Sequence, residues 1–167
     1  HRYSTDGVWL VPHFEKMLYD NALLVRLYLH AYQVTGKDIY KNVAEETLEY
    51  VMREMTSVEG AFFSSQDADS DGIEGQYFVW TADEIKDILE PDLANEITKH
   101  YDVTSKGNFE GKSILNLVSE EYNESKYKLI KEALLKARGP LLKYRSKRVC
   151  PETDNKILTA WNDKCIR

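Results

Sequence analysis

With 167 residues, 43% hydrophobic and 30% charged, the chain is long enough for one domain with a real core and is not composed like a disordered segment. A net charge of −6 argues against a general nucleic-acid role, because duplex affinity comes mainly from neutralising phosphates. No apolar run approaches the roughly 20 residues of a membrane helix, and Cys150 and Cys165 are too few and too far apart for a zinc cluster or a CxxC redox pair, so they read as reduced cytoplasmic thiols.

The chain opens on His1 rather than Met, directly in motif-like sequence, and the natural start is expected upstream. Residues 1–12 read as a loop ending in Pro12, a residue suited to a helix start. Residues 13–34 predict a helix that is apolar nearly all round, from Phe14, Met17 and Leu18 to Ala31 and Val34, and therefore buried on most sides. Gly36 ends it. A second helix, 38–56, carries a one-sided stripe of Ile39, Val43, Leu48, Val51 and Met55, with Lys41, Glu45, Glu49 and Arg53 opposite. A fully buried helix followed by a half-buried one suits two concentric helical layers.

After Gly60, the aromatic-rich runs Ala61–Ser65 and Gln76–Trp80 flank the polar loop Asp67–Gly75 and predict a hairpin with a long tip. Thr81 and Glu84 match a capping box, starting a helix to about Glu90, and Pro91 begins another to about Tyr101. Residues 102–118 look irregular, with a short strand expected near Ile114–Leu117. A helix from Glu120 to Ala137 is expected to break at Gly139-Pro140, and a last helix starts near Asn155 with Asp154 as its N-cap. From Lys126 to Arg148 there are nine Lys or Arg and one acid, Glu132: a solvated basic face, or a local anion or RNA contact.

Three segments carry candidate chemistry. If the first helix begins at His13, then His13, Lys16 and Asp20 share one face, continued by Leu24, Leu27 and Ala31. An imidazole there suits general acid or base work near neutral pH, with a carboxylate to orient or assist it; capping the helix is the alternative role. The Asp67, Asp69, Asp71, Gly72 run matches the start of a calcium loop, but Phe78 stands where the bidentate Glu is required, so no metal site is expected. These carboxylates could bind sugar hydroxyls or act as acid/base groups, or form a solvated turn. Trp161 offers a flat face that can stack on a sugar or pack in a core, and Trp9 and Tyr3 could line a pocket.

Together, these segments resemble the YyaL-like family, also called spermatogenesis-associated thioredoxin-like proteins. The likeness lies in His1–Asp6 running into Trp9–Ala22, in Ala61–Ser64 to Asp67–Ser70, in Glu74-Gly75 to Tyr77–Trp80, and in Asp154–Asn162. The resemblance implies a mainly α fold: the early part of an (α/α)6 barrel like those of N-acylglucosamine 2-epimerases and six-hairpin glycosidases, with a short β-hairpin insertion. Residues 1–167 would be a single fragment of that barrel, lacking the family's upstream thioredoxin-like domain and its later helices. After Trp161-Asn162 the family continues with Gly and an apolar helix, where this chain has Asp163–Arg167. Ser65-Gln66 is a milder departure.

The function this points to is a carbohydrate-processing or carbohydrate-binding parent protein, with a non-catalytic interaction domain as the alternative. His13, Asp20, Asp67 and Asp69 are the expected acid/base and supporting groups. Trp9, Glu15, Lys16, Asn21, Glu74, Trp80, Trp161 and Asn162 are the expected substrate contacts. Neither epimerisation nor glycoside hydrolysis needs a bound cofactor, and none is signalled. A small carbohydrate is the expected partner, and exposed inner faces of an unclosed barrel would favour self-association.

Overall fold

The structure, a computed structural model, describes residues 2–117 and 124–166. In chain order its elements are β1 (Lys16–Met17), α1 (Leu18–Thr35), α2 (Asp38–Glu54), β2 (Ser65–Gln66), β3 (Asp69–Ser70), β4 (Ile73–Glu74), α3 (Ala82–Ile88), α4 (Pro91–His100), α5 (Glu124–Arg145), β5 (Thr153–Asp154) and α6 (Thr159–Ile166). The fold is mainly helical, with small antiparallel sheets. It divides into two compact units: residues 2, 14–68 and 151–166 form the first, and residues 3–13, 69–117 and 124–150 the second.

In the first unit, α1 packs on α2 and α6. Leu18 and Met55 are fully buried, with Val51 beside them and Phe62 and Trp161 packed against them. Each such buried side chain contributes about 1.5–3 kcal/mol. Gly36, in the left-handed region with φ 67°, ends α1 and donates its N–H to Tyr32 O.

Two expectations about α1 are overturned. The helix begins at Leu18, and Lys16 lies in a strand, so His13 and Lys16 do not share a helical face with Asp20. Residues 16–17 pair with β2 instead of starting the helix, because main-chain partners elsewhere in the chain are available to them. Nor is α1 buried on most sides: Leu23, Leu27 and Val34 are 49%, 60% and 86% exposed. The two helices packed against it cover only part of its circumference.

The strands of the first unit form one antiparallel sheet in the order β1-β2-β5. Lys16 stands opposite Gln66 and Met17 opposite Ser65, while Ser65 faces Asp154 and Gln66 faces Thr153. The predicted pairing of 61–65 with 76–80 is therefore not the one observed. Ser65 takes two other partners, and Trp80 bridges to Ser113. Asp154 sits in β5 and does not cap a helix. Its carboxylate accepts from the Lys156 N–H and pairs with Lys156 Nζ at 2.7 Å.

The second unit is built around Trp80, Ile85, Leu89, Ile97, Val103 and Ala137, where α3, α4 and α5 meet. The capping box is present: Thr81 Oγ1 accepts from Glu84 N at 3.1 Å, and Glu84 Oε2 accepts from Thr81 N at 2.8 Å. Residues 114–117 form no strand; the bridge to Trp80 falls at Ser113. The expected start of the last long helix at Glu120 lies outside the described residues, as does His1. The break expected at Gly139-Pro140 does not occur, for α5 runs through to Arg145. Pro140 forfeits one main-chain bond. Ala137 before it, and Leu141 and Tyr144 after it, pack on the same core, which holds the helix together across that position.

Thr81→Ala removes one half of the capping box and is expected to cost about 1 kcal/mol. The thermal midpoint should fall by about 2–4 °C in a denaturation scan, and an unchanged midpoint would show that α3 does not need its cap.

Candidate functional site

In the first unit the β1-β2-β5 sheet gathers segments far apart in sequence. Leu18 N donates to Ser64 O at 2.9 Å, and Ser64 N and Oγ both donate to Asp154 O. Asp67 N donates to Glu152 O at 2.8 Å. The Asn162 side chain closes the set. Its Oδ1 accepts from Phe62 N at 2.8 Å and its Nδ2 donates to Phe62 O at 2.9 Å. The segments around Asp20, Asp67 and Trp161 are thus tied to one short ladder.

At the start of α1, the Arg2 guanidinium pairs with Glu15, approaches Tyr19 Oη at 3.5 Å and lies 3.9 Å from Asp20 Oδ2. That Asp20 oxygen is buried and accepts no hydrogen bond. Burial raises the Asp20 pKa above the ordinary carboxylate value; Arg2 pulls the other way, and Glu15 adds to the rise. Because Glu15 engages Arg2 directly, the Arg2 charge only partly offsets the burial. The outcome is a carboxyl that holds its proton more tightly than usual, a property suited to proton donation. Trp161 meets the Tyr19 ring edge-on at 4.8 Å. Asn21 Nδ2 donates to Met17 O at 2.8 Å and Lys16 Nζ to Phe14 O at 2.7 Å, so both fasten the entry to the helix.

In the second unit, residues 3–13 fold back on themselves. Thr5 N donates to Val11 O, and His13 N to Tyr3 O. Asp6 organises the loop, with Oδ1 accepting from Ser4 Oγ at 2.5 Å and Leu10 N at 3.0 Å; these bonds lower its pKa, the Ser4 bond most. His13 is half-buried, its ring 5.0 Å from that of Tyr3. Trp9, with φ 62°, is 78% exposed.

This loop forms one wall of a cleft of about 400 Å³, lined by Thr5, Val11, Gly72, Ile73, Glu74, Phe109 and Glu110. Two tight turns supply the other walls. Asp71 and Gly72 link β3 to β4, and Glu110 and Gly111 link Phe109 to Lys112. All four have positive φ, as primed hairpin turns require. Gly107 supports the second turn: a Cβ there would lie 2.3 Å from Lys112 O. The cleft offers carboxylates as hydrogen-bond acceptors, a hydroxyl, and the apolar surfaces of Phe109, Val11 and Ile73.

The candidate residues therefore fall into separate places. Asp20, Glu15, Lys16, Asn21, Asp67, Trp161 and Asn162 belong to the first unit, and His13, Trp9, Asp69, Glu74 and Trp80 to the second. Asp67 and Asp69 are exposed, and Asp69 stands opposite Glu74 across the β3-β4 ribbon. Trp80 is 2% exposed, packed inside the core, where the Arg148 guanidinium lies 4.3 Å from its ring centroid. Sequence reasoning missed Thr5, Val11, Phe109 and Glu110 as wall residues; the Glu110-Gly111 dipeptide was the signal that could have marked the second turn. Among the described residues no cluster of three His, Cys, Asp or Glu side chains could hold a metal ion, and no helix is long and apolar enough to cross a membrane.

Spermatogenesis-associated protein 20 of Homo sapiens is 38% identical over 97% of the chain, and its Mus musculus counterpart 37% over the same share. An uncharacterized protein of Caenorhabditis elegans is 28% identical over 99% of the chain. The chain spans 24% of the length of the two mammalian proteins and 27% of the third. No family model matches it.

The raised Asp20 pKa fixes the sign of a pH effect. The unfolded carboxyl titrates at its ordinary value of 3.8 and the folded one above it. Asp20 therefore contributes stability that is full below 3.8 and lost as pH rises through the folded pKa. Asp20→Asn should flatten this segment of the stability curve. A carbon-detected NMR titration of the Asp20 carboxyl should place its midpoint above 3.8, and a midpoint at or below that value contradicts the account.

Proposed function

We propose, for a chain that belongs to the family of spermatogenesis-associated protein 20, that it is part of a carbohydrate-processing or carbohydrate-binding protein built on a helical barrel. The observation that carries this reading is the cleft beside Glu74. Its volume of about 400 Å³ suits a monosaccharide, small-molecule sites being about 300–1,000 Å³. Glu74 and Glu110 would accept hydrogen bonds from sugar hydroxyls, Thr5 would exchange one, and Phe109 would lie against the apolar face of the ring. Trp9, exposed on the loop that carries Thr5 and Val11, is a further stacking surface.

In this reading His13 and Asp69, which belong to the unit that holds the cleft, and Asp20 and Asp67, which belong to the other, are the acid/base and supporting groups; none of the four is among the residues lining the cleft. Epimerisation would use one group to remove a proton next to a carbonyl and a second to return it on the opposite face. Glycoside hydrolysis would use two carboxyl groups flanking the bond. The tightly held Asp20 proton supports the role of an acid. In a helical barrel, the exposed Leu23, Leu27 and Val34 of α1 would be covered by further helices of the longer family protein. The same exposed residues favour a second reading, an interaction domain whose motif residues serve packing, as Asn162 does.

A calorimetric titration of the chain with a panel of monosaccharides tests the proposal. At least one sugar should bind, and Glu74→Gln and Glu110→Gln should each weaken it by about tenfold or more, as expected for lost hydrogen bonds to charged groups. If no sugar binds, or the double variant binds as well as the parent, the carbohydrate reading fails and the interaction domain is favoured.

A further inference from the structure

The end of α5 and the turn after it carry a cluster of basic residues. Lys143, Arg145, Lys147 and Arg148 fall within six residues, and of these the Arg148 side chain makes hydrogen bonds and an ion pair. Its Nη1 donates to Tyr77 O at 2.9 Å and Val79 O at 2.7 Å, and its Nη2 pairs with Glu84 at 3.0 Å. Arg145 is its opposite. The guanidinium carbon lies 5.2 Å from the Tyr77 ring centroid and 5.6 Å from that of Phe78, so its plane is held against aromatic surface. Its Nε is buried and has no hydrogen-bond partner. No carboxylate among the described residues pairs with Arg145, Lys143 or Lys147.

The two Nη groups of Arg145 are not among the buried atoms, so an oxyanion can reach them and form charge-assisted bonds. The carbonyls that would repel an anion at this helix end are occupied: Leu142 O, Tyr144 O and Arg145 O accept from Ser146 N, Lys147 N and Arg148 N. We propose that Arg145, with Lys143 and Lys147 beside it in sequence, binds a phosphate group. Three uncompensated positive charges favour a doubly charged phosphate over a singly charged carboxylate. The fixed, planar guanidinium provides paired donors, and the exposed lysines add mobile point charges.

The probe is inorganic phosphate, titrated into the chain at constant ionic strength against acetate. The readouts are calorimetry and the Arg145 Nε–H signal in nitrogen-resolved NMR. Phosphate should give a saturable shift of that signal, and acetate none. Lys143→Gln with Lys147→Gln, both exposed and outside the core, should weaken phosphate by about tenfold. Arg145→Lys, which keeps the charge and stem should Arg145→Gln fail to fold, should also weaken it by about tenfold or more because the fork is lost. A non-saturating response equal to that of acetate, or unchanged affinity in Arg145→Lys and in the double lysine variant, overturns the proposal.

Discussion

The hydrogen bonds between Asn162 and the Phe62 main chain are the point on which the first unit turns. One amide side chain occupies both the N–H and the C=O of Phe62, at 2.8 and 2.9 Å. This fixes α6 on the strand that follows. That strand, β2, is two residues long and lies between two others of equal length. Ladders so short have little stability of their own. They persist here because Leu18 and Met55 bury completely beside them and because Asn162 sets the register at one end. Without that register the start of α1, and with it Asp20, has no fixed position relative to Trp161.

The second unit has an analogous fastening in Arg148, which takes two carbonyls and Glu84 while lying over Trp80. Glu84 thereby serves α3 twice: one carboxylate oxygen completes the cap and the other receives Arg148. On this frame the two left-handed turns at 71–72 and 110–111 stand as walls of the cleft. The cleft offers acceptors, an aromatic ring and a defined volume, and it is such a site, not the helical fold, that carries function.

What could be read from the sequence follows the range of the interactions. The capping box, the one-sided stripe of α2 and the Pro91 helix start are signals spanning a few residues; the structure has the first and the last, and the stripe in part, with Val51 and Met55 buried but Leu48 exposed. The start of α1 was misread because the fate of Lys16 and Met17 depends on main-chain partners at Gln66 and Ser65. The pairing of the 61–65 run was misread for the same reason, its partner being β5 and not the neighbouring aromatic run. Pro140 was read as a break because its local cost is plain, while the core contacts of Leu141 and Tyr144 that outweigh it are tertiary. Among the candidate site residues, Glu74 lies on a cleft, but Thr5 and Glu110 reach it from segments whose proximity no periodicity encodes.

Amide hydrogen exchange of Leu18, Phe62, Ser64 and Asp67, in the parent chain and in Asn162→Ala, tests most directly whether one fastening holds the motif segments together. The account predicts that all four amides are protected in the parent and lose protection together in the variant, while those in the middle of α2 change less. If Phe62 alone is deprotected and Ser64, Asp67 and Leu18 keep their protection, the ladder stands without Asn162 and the central claim is wrong.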